Sequence, residues 1–305
     1  MRTPKYLSPT SVMKFYKDRE EYYLNYLADT RPPRFPQTQP MSVGSAFDAY
    51  IKCYLSDHLG LNLFKIDELF EQQVEEQNRD WARIAGKTCF DVYVECGAAA
   101  MLVTELEASS IEPRFEFTVE GVRGGSVVPL LGKPDLSYQT KSGKTVIIDW
   151  KVNGYCSKAS PRKGYVRIFP EGNHHKDALI EIKDNMAINV YHNLEDVNVD
   201  WATQLAIYGW VLGIDDDMPL VGIDQITCGA KKGLGEKGIR VAMHRCYIGD
   251  EFLKDLADKI EHVWEAIKSV DTVFDGPDSA EICARLDTYH LAFKGDDGFA
   301  AIMGR

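Results

Sequence analysis

Residues 132–152 read GKPDLSYQTKSGKTVIIDWKV. A short run closes on Pro134-Asp135, a polar turn QTKSGK follows, and an apolar run then ends in Asp149-Trp150-Lys151. Turn-forming residues between two β-prone runs predict a hairpin. Side chains alternate along a strand, so Asp149 and Lys151 share one face while Ile148 and Trp150 take the other. The run TVII is apolar on both faces, which predicts a central, buried strand. An antiparallel return brings Asp135 towards Asp149, and two carboxylates then meet one ammonium at a strand end. Magnesium takes oxygen ligands and keeps several waters, so one or two carboxylates plus a substrate phosphate suffice to hold it. Two such ions about 3.5–4 Å apart activate a water and stabilise a leaving oxygen, and a neighbouring lysine orients that water or offsets charge on phosphorus. The plainer alternative is a solvated strand face with Pro-Asp as a turn.

Outward from this hairpin, residues 10–28 show a rough helical period in Val12, Phe15, Tyr16, Tyr22, Tyr23 and Tyr26, with Ser8 and Thr10 as candidate caps. A proline-rich break follows, then a helix from about Ser42 and two more near 67–85 and 88–108. From Pro113 three short strands are expected, in RFEFTVEG, SVVPLLGKPDLSY and KTVIIDWKV. Residues 153–199 read as a polar insertion. DWATQLAIYGWVLG, residues 200–213, predicts a helix capped by Asp200 and stopped by Gly213. Strands near 221–229 and 238–247 and a helix over about 250–270 complete the pattern. Helices, then a strand meander, then helix and strands imply an α/β fold with a central mixed β-sheet flanked by helices. No clear boundary divides the chain. It is expected to be one domain over 1–305: a mainly helical part to 110, a core over 111–250 and a C-terminal helix and tail.

The 305 residues carry a formal charge of −11, with 45% hydrophobic and 27% charged residues. This composition is that of a globular chain with an ample core, and it excludes a protein that coats nucleic acid with its whole surface. No run of about 18 apolar residues is present, so no membrane span is expected. The N-terminus lacks an apolar signal core. Seven scattered cysteines without a C-x-x-C pair argue against a disulfide framework and for a reducing cytoplasm, that of a host cell if the chain is viral.

The hairpin residues resemble the PD-(D/E)xK nuclease superfamily, and the flanking segments are similar to its RecB-type, phage exonuclease-like branch. LSPTSVMKFYKDREEYYLNYL is similar to the branch's first helix. VGSAFDAYI is similar to the next, in which a glycine precedes a metal-binding residue by four positions. GKPDL with VIIDWK is similar to the catalytic hairpin, and QLAIY to a later Gln-x-x-x-Tyr motif. The ordered set spans about residues 7–210. The resemblance implies a restriction-endonuclease-like core with Asp135, Asp149 and the main-chain carbonyl of Trp150 as metal ligands and Lys151 as the catalytic lysine. It implies that Gln204 and Tyr208, four apart on one helical face, line the site; packing of that helix on the sheet is the alternative for Tyr208. Asp48 stands where many relatives have histidine and some glutamate, and a carboxylate suits a hard cation at least as well. Glu116 stands where the family often has a strand glutamate facing the site. Cluster-bearing relatives place cysteines in the first helix and near the C-terminus. Here Asp18 takes the first position and the tail holds only Cys283, so no iron–sulfur cluster is expected.

The expected function is a Mg2+-dependent deoxyribonuclease, with Mn2+ as an alternative ion. Exonuclease action on DNA ends, in recombination, repair or phage DNA processing, is preferred from the branch alone. A structure-selective endonuclease and an inactive DNA- or partner-binding protein are the alternatives. No G-x-x-x-x-G-K-[ST] fingerprint occurs, so an unwinding motor would be a separate helicase or recombination protein. Lys158, Arg162, Lys163 and Arg167, with Tyr165 or Phe169 for stacking, and Lys231 and Lys232 in a later turn are candidate DNA contacts.

Overall fold

The computed structural model describes residues 2–28, 35–153, 179–183, 186–189, 193–214, 220–228 and 239–268. Helix α1 (Pro9–Lys17) opens on a reciprocal cap: Ser8 Oγ accepts from the Ser11 N–H and Ser11 Oγ from the Ser8 N–H. The one helix expected over 10–28 is interrupted at Asp18, which turns to extended backbone and caps a second short helix, α2 (Arg19–Tyr22). Tyr23–Leu27 then form a π-helical turn. Helix α3 (Gln39–His58) begins before Ser42 because Thr38 caps it and a proline occupies its first turn.

The two helices expected over 67–108 are three: α4 (Ile66–Gln73), α5 (Arg79–Glu95) and α6 (Ala98–Glu107). Helix α5 runs on past the expected break at 86–87. Gly86 lets it lie tightly on α3, where a Cβ would come 2.4 Å from that of Ala46. Gly97, at φ +93°, makes the real break.

The three expected strands are five: β1 (Arg114–Phe115), β2 (Val119–Gly121), β3 (Leu130–Gly132), β4 (Leu136–Gln139) and β5 (Thr145–Asn153). RFEFTVEG breaks at Glu116, a non-glycine at φ +32°, so β1 and β2 join different sheets. The second run breaks at Lys133-Pro134-Asp135, and β3 and β4 also join different sheets. Two further strands, β6 (Leu179–Lys183) and β7 (Met186–Asn189), lie inside the supposed insertion. Their runs are short and their neighbours polar, which hid them from a periodicity reading. Helix α7 (Leu194–Val197) precedes α8 (Val199–Val211), and β8 (Leu220–Cys228), β9 (Ile239–Cys246) and α9 (Asp250–Lys268) follow. Asn198, not Asp200, caps α8, its Oδ1 accepting from the Trp201 N–H at 3.0 Å. Gly213 stops it at φ +77°.

Among the described residues the main sheet has seven strands in the order β1-β4-β5-β8-β9-β7-β6, and β2 and β3 form a separate pair. β5 is antiparallel to β4 and parallel to β8. Val146, Ile147 and Ile148 are fully buried, as a strand covered on both faces requires. On one face Ile147, Val221 and Ile223 pack with α8, α9 and α1; on the other Ile148, Trp150, Ile226 and Met243 pack with α3 and α5. Burying each such side chain contributes about 1.5–3 kcal/mol. Cys53, Cys89, Cys96 and Cys246 are buried thiols. Among the described residues no helix is long and apolar enough to cross a membrane.

Candidate active site

The β4–β5 ladder ends with Leu136 opposite Ile148. Beyond it β5 continues while β4 has turned away, and the edge of β5 lies open. The Trp150 N–H points to that edge, where Asp135 Oδ2 accepts it at 3.1 Å. A residue's N–H and C=O leave a strand on the same side, so the Trp150 carbonyl faces this edge too, while its indole is buried on the α3 face. Asp149 and Lys151 project to the α8 face. The Lys151 ammonium pairs with Asp149 Oδ2 and donates to Gln204 Oε1 at 2.9 Å. The Gln204 amide donates to Asp149 Oδ1 at 2.9 Å and to the Tyr208 hydroxyl at 2.8 Å. One glutamine on α8 thus ties the acid to the base and is itself held by Tyr208. Tyr208 packs on Gly132 of β3, where a Cβ would lie 3.0 Å from the ring.

From the other side α3 delivers Asp48. Its Oδ2 accepts from the Lys52 ammonium and, at 2.8 Å, from the Gln73 amide at the end of α4. Glu116 meets the same two donors at Oε2, with Gln73 at 3.0 Å, and Lys133 at Oε1. Its left-handed backbone, which costs of order 1–3 kcal/mol, is fixed by an N–H bond of 2.8 Å to the Asp135 carbonyl. Asp48, Glu116, Asp135, Trp150 and Lys151 line one open cleft of about 840 Å³.

The electrostatics follow from this crowding. Burial, then the neighbouring Asp149 and Asp48, push the Asp135 carboxyl well above the usual carboxylate range, although part of the residue stays open to the cleft. Burial also raises Asp48 in spite of Lys52. For Glu116 burial acts upward, but its bonds from Lys133 and Lys52 outweigh it and hold the group low. Burial works against the charge of Lys52, yet Asp48 and Asp135 prevail and raise its pKa. Burial and then Asp149 keep the Tyr208 hydroxyl protonated beyond its ordinary range.

Among the described residues no three His, Cys, Asp or Glu side chains converge on one point as ligands. Lys52 pairs with Asp48 and Lys151 with Asp149. The donor set nonetheless fits a hard cation. It is all oxygen, with Asp149 Oδ1 on the Gln204 amide and Oδ2 against the Lys151 ammonium. The structure therefore brings Asp48, Glu116, Asp135, Asp149, Trp150, Lys151, Gln204 and Tyr208 to one place. Lys158, Arg162, Lys163, Arg167, Lys231 and Lys232, with Tyr165 and Phe169, lie outside the described residues.

Sequence reading missed Lys52, Gln73 and Lys133. Lys52 had a signal, because it stands four residues after Asp48 on one helical face. Gln73 had none; only the packing of α4 on α3 brings it in.

Residues 6–165 match the PD-(D/E)XK nuclease superfamily. The match covers just over half of the chain, and the chain belongs to that family. Its mixed sheet flanked by helices is the restriction-endonuclease-like core, and the family makes the chain a nuclease, with DNA as the substrate class and divalent metal ions as general cofactors. Among curated proteins no sequence matches the chain. A solved structure described as "Crystal structure of SSO0001" aligns over 88% of this chain and 97% of its own, at 14% identity and a TM-score of 0.25.

Proposed function

We propose that this chain is a magnesium-dependent deoxyribonuclease of the RecB type that degrades DNA from its ends. The observation that carries the nuclease reading is the Asp149–Gln204–Lys151 linkage on the α8 face of β5, with Asp135 fixed to the Trp150 amide at the open strand edge beside it; the preference for DNA ends comes from the family branch that the sequence resembles. Asp135, Asp149, Asp48 and the Trp150 carbonyl are the groups that would hold the ion, with Glu116 as a further carboxylate. When bound, the ion supplies Lewis-acid polarisation of the phosphodiester and of the attacking water.

The chain's own residues do the rest. Lys151, freed from Asp149, places its ammonium where charge grows on the phosphoryl oxygens. Gln204 fixes the position of that ammonium, and Tyr208, whose hydroxyl stays protonated, fixes Gln204. Asp135 keeps the end of β5 in register with the cleft through its bond to Trp150. Two carboxylates crowded together without an ion would serve a mere scaffold poorly, which favours a working nuclease over an idle fold. Lys158, Arg162, Lys163, Arg167, Lys231 and Lys232 are the proposed phosphate contacts.

The test is digestion of linear and covalently closed circular DNA side by side, with Mg2+, Mn2+ or chelator. Metal-dependent loss of the linear form alone is expected. Nicking of circles would move the assignment to an endonuclease, and loss of neither form would leave a protein that only binds.

A further inference from the structure

The site contains a cation of its own. Lys52 is 1% exposed, and lysine is almost never buried so fully unless it is paired. Its partners are not core groups but two carboxylates that line the cleft, Asp48 and Glu116. At each of them the bonded oxygen also accepts the Gln73 amide. Glu116 has its second oxygen on Lys133, so both of its oxygens are engaged. A divalent ion held by Glu116 needs lone pairs that these donors already use, one held by Asp48 shares a carboxylate whose Oδ2 already takes two donors, and either ion would bring its charge next to a buried ammonium.

We propose that Lys52 is a positioning residue that competes with the divalent ion: its ammonium holds Asp48 and Glu116 in place, and the ion gains their oxygens only by displacing it. This rests on the metal-nuclease reading above. The consequence is a built-in threshold. Ion affinity at the Asp48 side is set below what the carboxylates alone would give, and the carboxylates never face one another without a positive charge between them. Gln73 stays on both acids through the exchange, since an amide keeps no charge to repel the ion.

The test measures Mn2+ affinity by calorimetry and electron paramagnetic resonance on the full chain without DNA, alongside thermal unfolding in chelator and in Mn2+. Lys52→Met keeps length and removes charge, whereas Lys52→Arg keeps charge. Lys52→Met should bind Mn2+ at least about tenfold more tightly, which is about 1.4 kcal/mol, and Lys52→Arg should stay within about threefold of wild type. Lys52→Met should melt earlier than wild type in chelator and recover with Mn2+. Wild-type or weaker affinity in Lys52→Met overturns the competition, as does equal tightening in Lys52→Arg, which would make bulk rather than charge responsible. If Lys52→Met folds only with Mn2+, the proposal stands, because the ion then replaces the ammonium. If it does not fold even with Mn2+, the proposal falls. A wild-type chain that binds no Mn2+ refutes the metal reading itself; a wild-type chain that binds, with no gain in Lys52→Met, refutes this inference alone.

Discussion

Replacing Gln204 with leucine keeps the volume and the helix and removes one amide that makes three hydrogen bonds: from Lys151 at 2.9 Å, to Asp149 at 2.9 Å and to Tyr208 at 2.8 Å. Two of these involve charged partners, worth about 1.5–3 kcal/mol each, and one a neutral partner, worth about 0.5–1.5 kcal/mol. The full sum will not appear as lost stability. Gln204 is half-buried beside the cleft, water reaches the vacated partners, and leucine adds apolar contact. A net loss of about 1–2 kcal/mol is expected, a fall in Tm of roughly 1.5–3 °C for a chain of this length. The catalytic effect is larger, because Lys151 loses the group that fixes it and turns wholly to Asp149. A misplacement on the order of 1 Å costs about a hundredfold in rate, or about 2.7 kcal/mol of barrier. The assay is single-turnover cleavage of end-labelled linear DNA at saturating Mg2+, with DNA affinity in chelator as control. The rate should fall about a hundredfold while DNA affinity stays within about threefold. A folded Gln204→Leu protein that cleaves within about threefold of wild type would refute the idea that α8 positions the lysine.

Two glycines of the motif segments should respond in opposite ways. Gly132→Ala drives a methyl to 2.6 Å from Val211 Cγ2 and 3.0 Å from the Tyr208 ring, so chemical denaturation should show a loss of about 1–3 kcal/mol. Gly44→Ala, in the interior of α3 with nothing within 4 Å of the new methyl, should gain up to about 1 kcal/mol; a loss there would mean the cleft wall is closer than described. Asp135→Asn keeps an acceptor for the Trp150 N–H and cannot ionise. The raised pKa of Asp135 in the fold means that its contribution favours folding at acid pH and is lost as pH climbs from the unfolded value, near 3.9, through the folded one. In chelator Asp135→Asn should therefore melt above wild type at pH 8, with the gap closing towards pH 4; a gap independent of pH would contradict the assigned shift.

The core of the site was legible because it is local. Pro134-Asp135, the turn and Asp149-Trp150-Lys151 lie within twenty-one residues of sequence, and strand alternation alone assigns their faces. Gln204 and Tyr208 were named through the family resemblance, with helical spacing placing both on one face. What was missed depends on tertiary contact or on local strain. Glu116 was named through the resemblance, but its segment reads as one continuous strand, and only its positive φ shows that the strand ends there. Gln73 arrives through packing of α4 on α3. Lys52 looked like an ordinary amphipathic-helix lysine, because sequence does not report burial. The strands β6 and β7 were lost in a polar neighbourhood, although β7 pairs directly with β9.

The most direct test of the central claim compares wild type with Asp149→Asn and Lys151→Ala on linear DNA in Mg2+, with circular dichroism to confirm the fold. Wild type should degrade the DNA, chelator should stop it, and both folded variants should lose cleavage by at least about a thousandfold. Full metal-dependent cleavage by either variant would place the chemistry elsewhere in the chain and contradict the account.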